Sequence, residues 1–191
     1  MRRLLNRNPI RIGRCSYRIV ATLGIAALAC CTVAKGQSSD SSIILKIEGT
    51  VEKPLSLTLP DLKSMPHQTL KVTNPHTHQE EVYDGVPLID LLKLAGIPSG
   101  ENLRGAAMAT FIIAEASDGY RVAFSLAELD PGIGDAGVLV ADSLSGKPLD
   151  AKLGPLRLVV PRDKRPARWV RMLTALHVAT VPKAEKQTTK R

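Results

Sequence analysis

The chain has 191 residues, with 26 Lys or Arg against 18 Asp or Glu and a formal net charge of +8. Seven of the cations lie in the first 36 residues, which contain no acid, and the chain from Gln37 onward carries a net charge of only +1. Five aromatic side chains remain after residue 36. These are too few for the stacking surfaces that bind single-stranded nucleic acids. Composition therefore argues against a general nucleic-acid-binding protein.

The N-terminal segment, residues 1–36, has the pattern of an export signal. A cationic region at 1–18 precedes an apolar run from Ile19 to Ala29, and a stretch of small residues follows. The apolar run is shorter than the roughly 20 residues that a membrane-spanning helix needs. We therefore expect the segment to be removed on export. The mature protein would then be periplasmic or extracellular and have no spanning segment.

Three other interpretations of this segment remain open. The apolar run could be kept as a membrane anchor. The sequence Leu28-Ala-Cys-Cys31 resembles a bacterial lipoprotein box, which would produce a lipid-anchored form, and Arg2-Arg3 partly resembles a twin-arginine signal. The three cysteines of the chain, Cys15, Cys30 and Cys31, all fall inside residues 1–36. A processed chain would therefore have no disulfide, no thiolate metal ligand and no cysteine nucleophile.

The rest of the chain is expected to form one domain at residues 43–181. A Ser-rich leader at 37–42 precedes it, and a basic tail at 182–191, expected to be disordered, follows it. A domain of this length is large enough to bury a sizeable core.

The predicted elements of this domain are mostly strands. Alternating or continuous apolar residues predict strands, in chain order, at 43–48, 55–59, 70–73, 81–83, 108–116, 121–124, 138–141, 156–160 and 172–181. One helical turn is predicted after Pro60, and a helix is predicted at 87–95 because Pro87 suits a first helical position and Gly96 suits an end. A third helix is expected after Ser125, with Glu128 in capping-box spacing. The pattern predicts a β-rich, mixed α+β fold.

Six phrases of the sequence follow one another in an order that resembles the sulfite-oxidase-like, molybdopterin-dependent oxidoreductase domain. They begin at Ile47-Glu-Gly-Thr, Tyr83-Asp-Gly-Val-Pro, Ala114-Glu-Ala-Ser, Gly146-Lys-Pro-Leu, Gly154-Pro-Leu-Arg and Arg165-Pro-Ala-Arg. The resemblance implies a compact α+β fold whose cleft holds molybdenum on a pterin dithiolene with a phosphate tail. It also implies a redox partner or a place in a larger oxidoreductase.

The resemblance assigns cofactor and phosphate binding to Arg157, Arg165 and Arg168. Guanidinium groups suit phosphate oxygens because they bind them in a bidentate manner. The residues themselves also indicate an anion site, since 157–171 contains six cations and one anion. The alternative is a solvated basic loop paired with acids elsewhere. Trp169, in the same stretch, is expected to be a core residue rather than a stacking platform.

Several family positions differ in this chain. Catalytic members provide a cysteine thiolate to molybdenum from the segment that here runs from Val72 to Tyr83, which has no cysteine. A soft thiolate is not replaced by imidazole or carboxylate without changing the metal chemistry. Lys152-Leu153 stands where a histidine is often found, and Pro166 replaces a serine. These departures argue against ordinary sulfite-oxidase chemistry.

The segment without cysteine carries a possible metal site of its own. His76 and His78, at i and i+2, would share one face of a strand, and Glu80, Glu81 and His67 lie close by in sequence. Such a set suits a divalent ion such as zinc. The alternative is an exposed polar turn, which Asn74-Pro75 favours. Asp118-Gly-Tyr120 is expected to form a turn, with a cleft role for Asp118 or Tyr120 as the alternative.

Two functions therefore remain at this stage. The first is an exported, molybdopterin-binding oxidoreductase-like domain whose catalysis is in doubt because it has no cysteine ligand. The second is a non-catalytic module that uses the same fold to bind another anion or a partner, with or without the histidine-based metal site.

Overall fold

The computed structural model describes residues 42–74 and 76–182. The predicted export signal, nearly all of the Ser-rich leader and most of the basic tail lie outside these residues. The described part contains ten strands and three short helices. The strands are β1 (Ile43–Gly49), β2 (Leu55–Thr58), β3 (Gln68–Thr73), β4 (Glu80–Pro87), β5 (Thr110–Ala116), β6 (Arg121–Ser125), β7 (Leu139–Leu144), β8 (Lys147–Pro148), β9 (Arg157–Val159) and β10 (Leu173–Thr180). The helices are α1 (Leu59–Ser64), α2 (Leu88–Leu94) and α3 (Leu126–Leu129).

The strands form two five-stranded sheets. The first sheet has the order β2-β1-β10-β5-β6, with β1 and β10 parallel and the other pairs antiparallel. The second has the order β3-β4-β7-β8, and β9 also pairs with β7. Apolar side chains from both sheets form one core, including Leu45, Ile112 and Leu176 from the first sheet and Val86 and Leu158 from the second. The predicted β-rich α+β domain is confirmed.

Most predicted elements are present, with small shifts at their ends. The strand predicted from 108 begins at Thr110, because Gly105–Ala109 forms a 3-10 helix. The helix predicted at 87–95 begins at Leu88, one residue after Pro87. The Ser125 cap is confirmed, since its hydroxyl accepts the Glu128 amide at 3.1 Å. Strand β8 was not predicted, because two residues carry no periodic pattern.

His67 connects the start of β3 to β7 through a pair with Asp142. Its Nδ1 lies 2.9 Å from the Met65 carbonyl oxygen and its Nε2 lies 3.0 Å from Asp142 Oδ2. Both ring nitrogens face acceptors, so the doubly protonated ring satisfies both contacts. The hydrogen bond to Asp142 raises the pKa of His67 above its usual value.

This pair makes stability depend on pH. A folded pKa above the unfolded value of about 6.5 gives a contribution that is full below that value and is lost as pH rises through the folded pKa. We expect His67→Gln to lower the free energy of unfolding by up to about 1 kcal/mol at pH 5.5. The difference should shrink at pH 9. Urea unfolding of both proteins at the two pH values measures it, and Asp142→Asn, the control, should remove the same pH dependence. A difference that is constant with pH would contradict the assignment.

Candidate functional site

A cavity of about 530 Å³ opens where the ends of both sheets meet. Four segments line it: the start of the β3–β4 hairpin, the β5–β6 turn, the approach to β9 and the segment that precedes β10. The lining residues are Asn74, His76, Glu81, Ala116, Asp118, Tyr120, Leu153, Arg157, Pro166, Ala167, Trp169 and Arg171. The lining is mainly polar and carries both signs of charge.

The β9 segment and the chain that precedes β10 are held together by backbone hydrogen bonds. Leu158 N donates to Val170 O at 2.8 Å, and Leu173 N donates to Leu156 O at 3.0 Å. Between these two contacts lie Arg157 and Arg171, which therefore reach the same cavity from neighbouring backbone segments. The pairing explains why residues 14 positions apart in sequence share one site.

Arg157 is the most unusual residue of the cavity. It is only 9% exposed, and its guanidinium carbon lies 5.4 Å from the Tyr83 ring centroid and 5.3 Å from that of Trp169. Its Nη1 donates a hydrogen bond to the Tyr83 hydroxyl. Its Nε is buried and has no hydrogen-bond partner among the described residues.

No carboxylate of the described chain forms an ion pair with Arg157, and a guanidinium has five N–H donors, of which Tyr83 takes one. Burying a charge without a partner costs several kcal/mol. A buried, incompletely bonded guanidinium on a cavity wall is therefore suited to an anionic ligand.

Tyr83 transmits the contact from Arg157 to a carboxylate. It is fully buried, and its hydroxyl donates to Glu81 Oε2 at 2.7 Å. Burial and the hydrogen bond to Glu81 raise the pKa of Tyr83 well above its usual range, so the phenol stays protonated. The other Glu81 oxygen accepts from Asn74 Nδ2 at 2.7 Å.

Trp169 is buried, as predicted. Its indole Nε1 donates to the Val160 carbonyl at 2.9 Å, and its ring meets Tyr83 edge-on, with centroids 6.3 Å apart. Trp169 also lines the cavity, so a core role and a site role coincide in this residue.

The structure separates the three arginines that the resemblance assigned to the cofactor. Arg157 lines the cavity, whereas Arg165 is exposed and Arg168 faces other partners. Arg168 donates twice to Asp163, at 2.9 and 2.7 Å, and once to Glu128 at 2.9 Å. The Asp163 hydrogen bond raises the pKa of Arg168 above its usual range. A phosphate-binding role for Arg165 and Arg168 stays a prediction that the cavity does not support.

The two histidines lie in a turn instead of on a strand. His76 and Thr77 form the turn, and His78 has a positive φ of 57°. The alternation that would place both rings on one face is therefore absent, and only His76 lines the cavity. Within the two described ranges, no group of three or more His, Cys, Asp or Glu side chains is arranged to hold a metal ion.

The Asp118–Tyr120 turn is confirmed, and it also borders the cavity. Asp118 Oδ1 accepts the Tyr120 amide at 2.9 Å, and Gly119 has a φ of 83°. The Tyr120 hydroxyl donates to the Ala167 carbonyl at 2.7 Å, which connects this turn to the 3-10 helix Pro166–Arg168.

Sequence reasoning did not identify Glu81 as an anchor for Tyr83, or Arg171 as a wall of the cavity. Two signals were available. Tyr83 opens one of the six phrases, and Arg171 belongs to the basic stretch. No helix in the described part of the chain is both long enough and apolar enough to cross a bilayer.

Comparison with known proteins supports this site. The structure is similar to the crystal structure of the sulfane dehydrogenase SoxCD from Paracoccus pantotrophus, with 25% sequence identity and a TM-score of 0.56. The match covers 70% of this chain and 37% of that chain, so this chain spans little more than a third of the solved one. The search of curated proteins gave no significant match. The family model of the oxidoreductase molybdopterin-binding domain matches residues 33–187. The resemblance seen in the sequence is thereby confirmed, and the chain belongs to the oxidoreductase molybdopterin-binding domain family.

Proposed function

We propose that this domain binds a molybdopterin-type cofactor in the 530 Å³ cavity, with Arg157 as its principal anion-binding residue. The observation that carries the proposal is the buried guanidinium, which has a cavity beside it and donors that the described residues leave without acceptors. Charge-assisted, bidentate hydrogen bonds to phosphate oxygens are the interaction such a group makes best. Arg171, exposed on the same wall, would add a second cation.

The residues present fit the organic, anionic part of the cofactor and do not fit a thiolate-bound metal. No cysteine lines the cavity, and the only cysteines of the chain are at positions 15, 30 and 31. The carboxylates that line it are hard ligands, whereas molybdenum in this family takes a soft thiolate. We therefore propose that this chain does not carry out ordinary sulfite-oxidase chemistry.

We further propose that the chain is exported and works with a redox partner or inside a larger oxidoreductase. Its residues 1–36, with a cationic region, a short apolar run and small residues, support export. The partner is supported by the comparison with the sulfane dehydrogenase, of which this chain covers 37%.

The experiment that tests cofactor binding uses protein purified from a host that makes and exports the pterin. We expect released, oxidised pterin fluorescence in near-stoichiometric amount. Molybdenum measured on the same sample reports whether metal is retained with the pterin. Protein without pterin would overturn the proposal and would favour the module that binds another anion.

A pair of variants distinguishes the cavity from the basic surface. Arg171→Ala should lower the fraction of protein that retains pterin after dialysis by roughly fivefold, because it loses a charge-assisted contact of about 1 kcal/mol. Arg165→Ala removes the same charge outside the cavity and should leave the fraction unchanged. If Arg165→Ala had the larger effect, the phosphate-binding role that the resemblance assigned to Arg165 would be restored.

A further inference from the structure

A chain of hydrogen-bonded side chains runs from the buried guanidinium to the β3–β4 turn. Arg157 donates to the Tyr83 hydroxyl, Tyr83 donates to one Glu81 oxygen, and Asn74 donates to the other. The Asn74 side-chain oxygen in turn accepts the amides of His76 and Thr77, at 2.8 and 3.3 Å. One carboxylate therefore connects the anion-binding arginine to the turn that carries His76.

We propose that Glu81 is a positioning residue: through Tyr83 it orients Arg157 toward an anionic ligand, and through Asn74 it couples occupancy of that site to the turn at 76–79. The proposal rests on the function proposed above, because it assumes that Arg157 meets an anion. It assigns to Glu81 a role opposite to the one that simple charge would give it.

The geometry explains why an acid would assist an anion site. The guanidinium is flanked by the Tyr83 and Trp169 rings, which restrict its plane, but the rings alone do not fix its rotation within that plane. The Tyr83 hydroxyl fixes that rotation by accepting from Nη1. The hydroxyl can do so only while its own proton points elsewhere, and Glu81 Oε2 takes that proton at 2.7 Å. The remaining donors of Arg157 are thereby held in one direction.

The competing expectation comes from electrostatics alone. A carboxylate in the wall of an anion site repels the ligand, so neutralising it should strengthen binding. The two accounts therefore predict opposite signs for Glu81→Gln. Glu80 provides the matched control, because it is the adjacent acid, is exposed and does not line the cavity.

Trp169 makes the measurement site-specific. It is the single tryptophan of the chain, and its ring lies 5.3 Å from the Arg157 guanidinium carbon. Full chain made in a host without the pterin pathway is titrated with inorganic phosphate, and the intrinsic fluorescence is followed. We expect Glu81→Gln and Tyr83→Phe each to weaken phosphate binding by about tenfold, the effect of losing the orientation of one charged hydrogen bond. Glu80→Gln should bind as the wild type does, or slightly more tightly.

The coupling to the turn has its own readout. The Thr77 amide does not line the cavity, so direct contact with phosphate does not move its resonance. We expect phosphate to shift that resonance in the wild type and to leave it in place in Glu81→Gln. Near-UV circular dichroism verifies that Tyr83→Phe is folded, and Glu81→Gln serves if it is not.

Several outcomes would overturn the proposal, and they differ from those that test the cofactor. Unchanged or tighter phosphate binding in Glu81→Gln overturns the positioning role. A wild-type Thr77 resonance that ignores phosphate, or that shifts equally in the variant, overturns the coupling. Absence of any phosphate response at Trp169 removes the anion site itself. Wild-type protein that binds phosphate but never carries pterin refutes only the cofactor assignment.

Discussion

Replacing Arg157 with methionine is expected to abolish pterin retention while leaving the domain as stable as before or more stable. The variant removes the buried charge-assisted contacts, each about 1.5–3 kcal/mol, so occupancy should fall at least tenfold. It also removes a buried cation that has no carboxylate partner in the described chain, and apolar replacement of such a group is often neutral or stabilising by about 1–4 kcal/mol. Opposite signs in the two measurements identify a residue retained for binding.

Pterin fluorescence after dialysis and thermal unfolding of the same preparation measure both effects. Arg162→Met is the control, because Arg162 belongs to the same basic stretch, contacts the Gly134 carbonyl and Asp135, and is exposed. It should alter neither quantity appreciably. An Arg157→Met protein that keeps its pterin would show that the cavity binds the cofactor through other groups. One that is strongly destabilised would make Arg157 a structural residue.

Gly85→Ala is expected to have the largest effect on stability. Gly85 lies in β4 opposite β7, and an added Cβ would collide with the Val140 carbonyl oxygen and lie 2.6 Å from Ala141 Cα. Both are backbone atoms in the interior of the sheet, so the strands themselves would have to separate. We expect a loss of more than about 3 kcal/mol in the free energy of unfolding, or no folded protein.

A second glycine separates this collision from backbone strain. Gly105 has a φ of 59° but no atom within 4 Å of an added Cβ. Gly105→Ala should therefore cost only the left-handed conformation, about 1 kcal/mol. Urea unfolding of both variants makes the comparison. Similar losses for the two would mean that the β4–β7 pairing tolerates the extra carbon, contrary to the geometry. The glycine of the Tyr83-Asp-Gly-Val-Pro phrase is thus required for close strand pairing.

The fold was predictable where local chemistry decides it. The alternation in β2, the cap at Ser125 and the apolar face of α2 each follow from spacing alone. Sheet order was not predictable, because the pairing of β1 with β10 joins residues about 130 positions apart and leaves no mark on local periodicity.

The site was predictable only in part, for a related reason. Charge density identified the stretch that contains Arg157 and Arg168, but it could not tell which guanidinium faces a cavity. That choice depends on partners remote in sequence: Glu128 holds Arg168 away, while Tyr83 holds Arg157 in place. The spacing of His76 and His78 suggested a shared face that only a strand would provide, and the turn removes it.

The parallel pairing of β1 with β10 has a consequence for how the chain acquires its structure. The first strand of the domain lies beside the last, in the interior of the first sheet, so that sheet stays incomplete until nearly all of the polypeptide is available. Non-local pairing of this kind is slow and exposes strand edges while it is pending. Shortening the chain before Thr180 would therefore leave β1 and β5 without the strand between them, and aggregation would compete with folding.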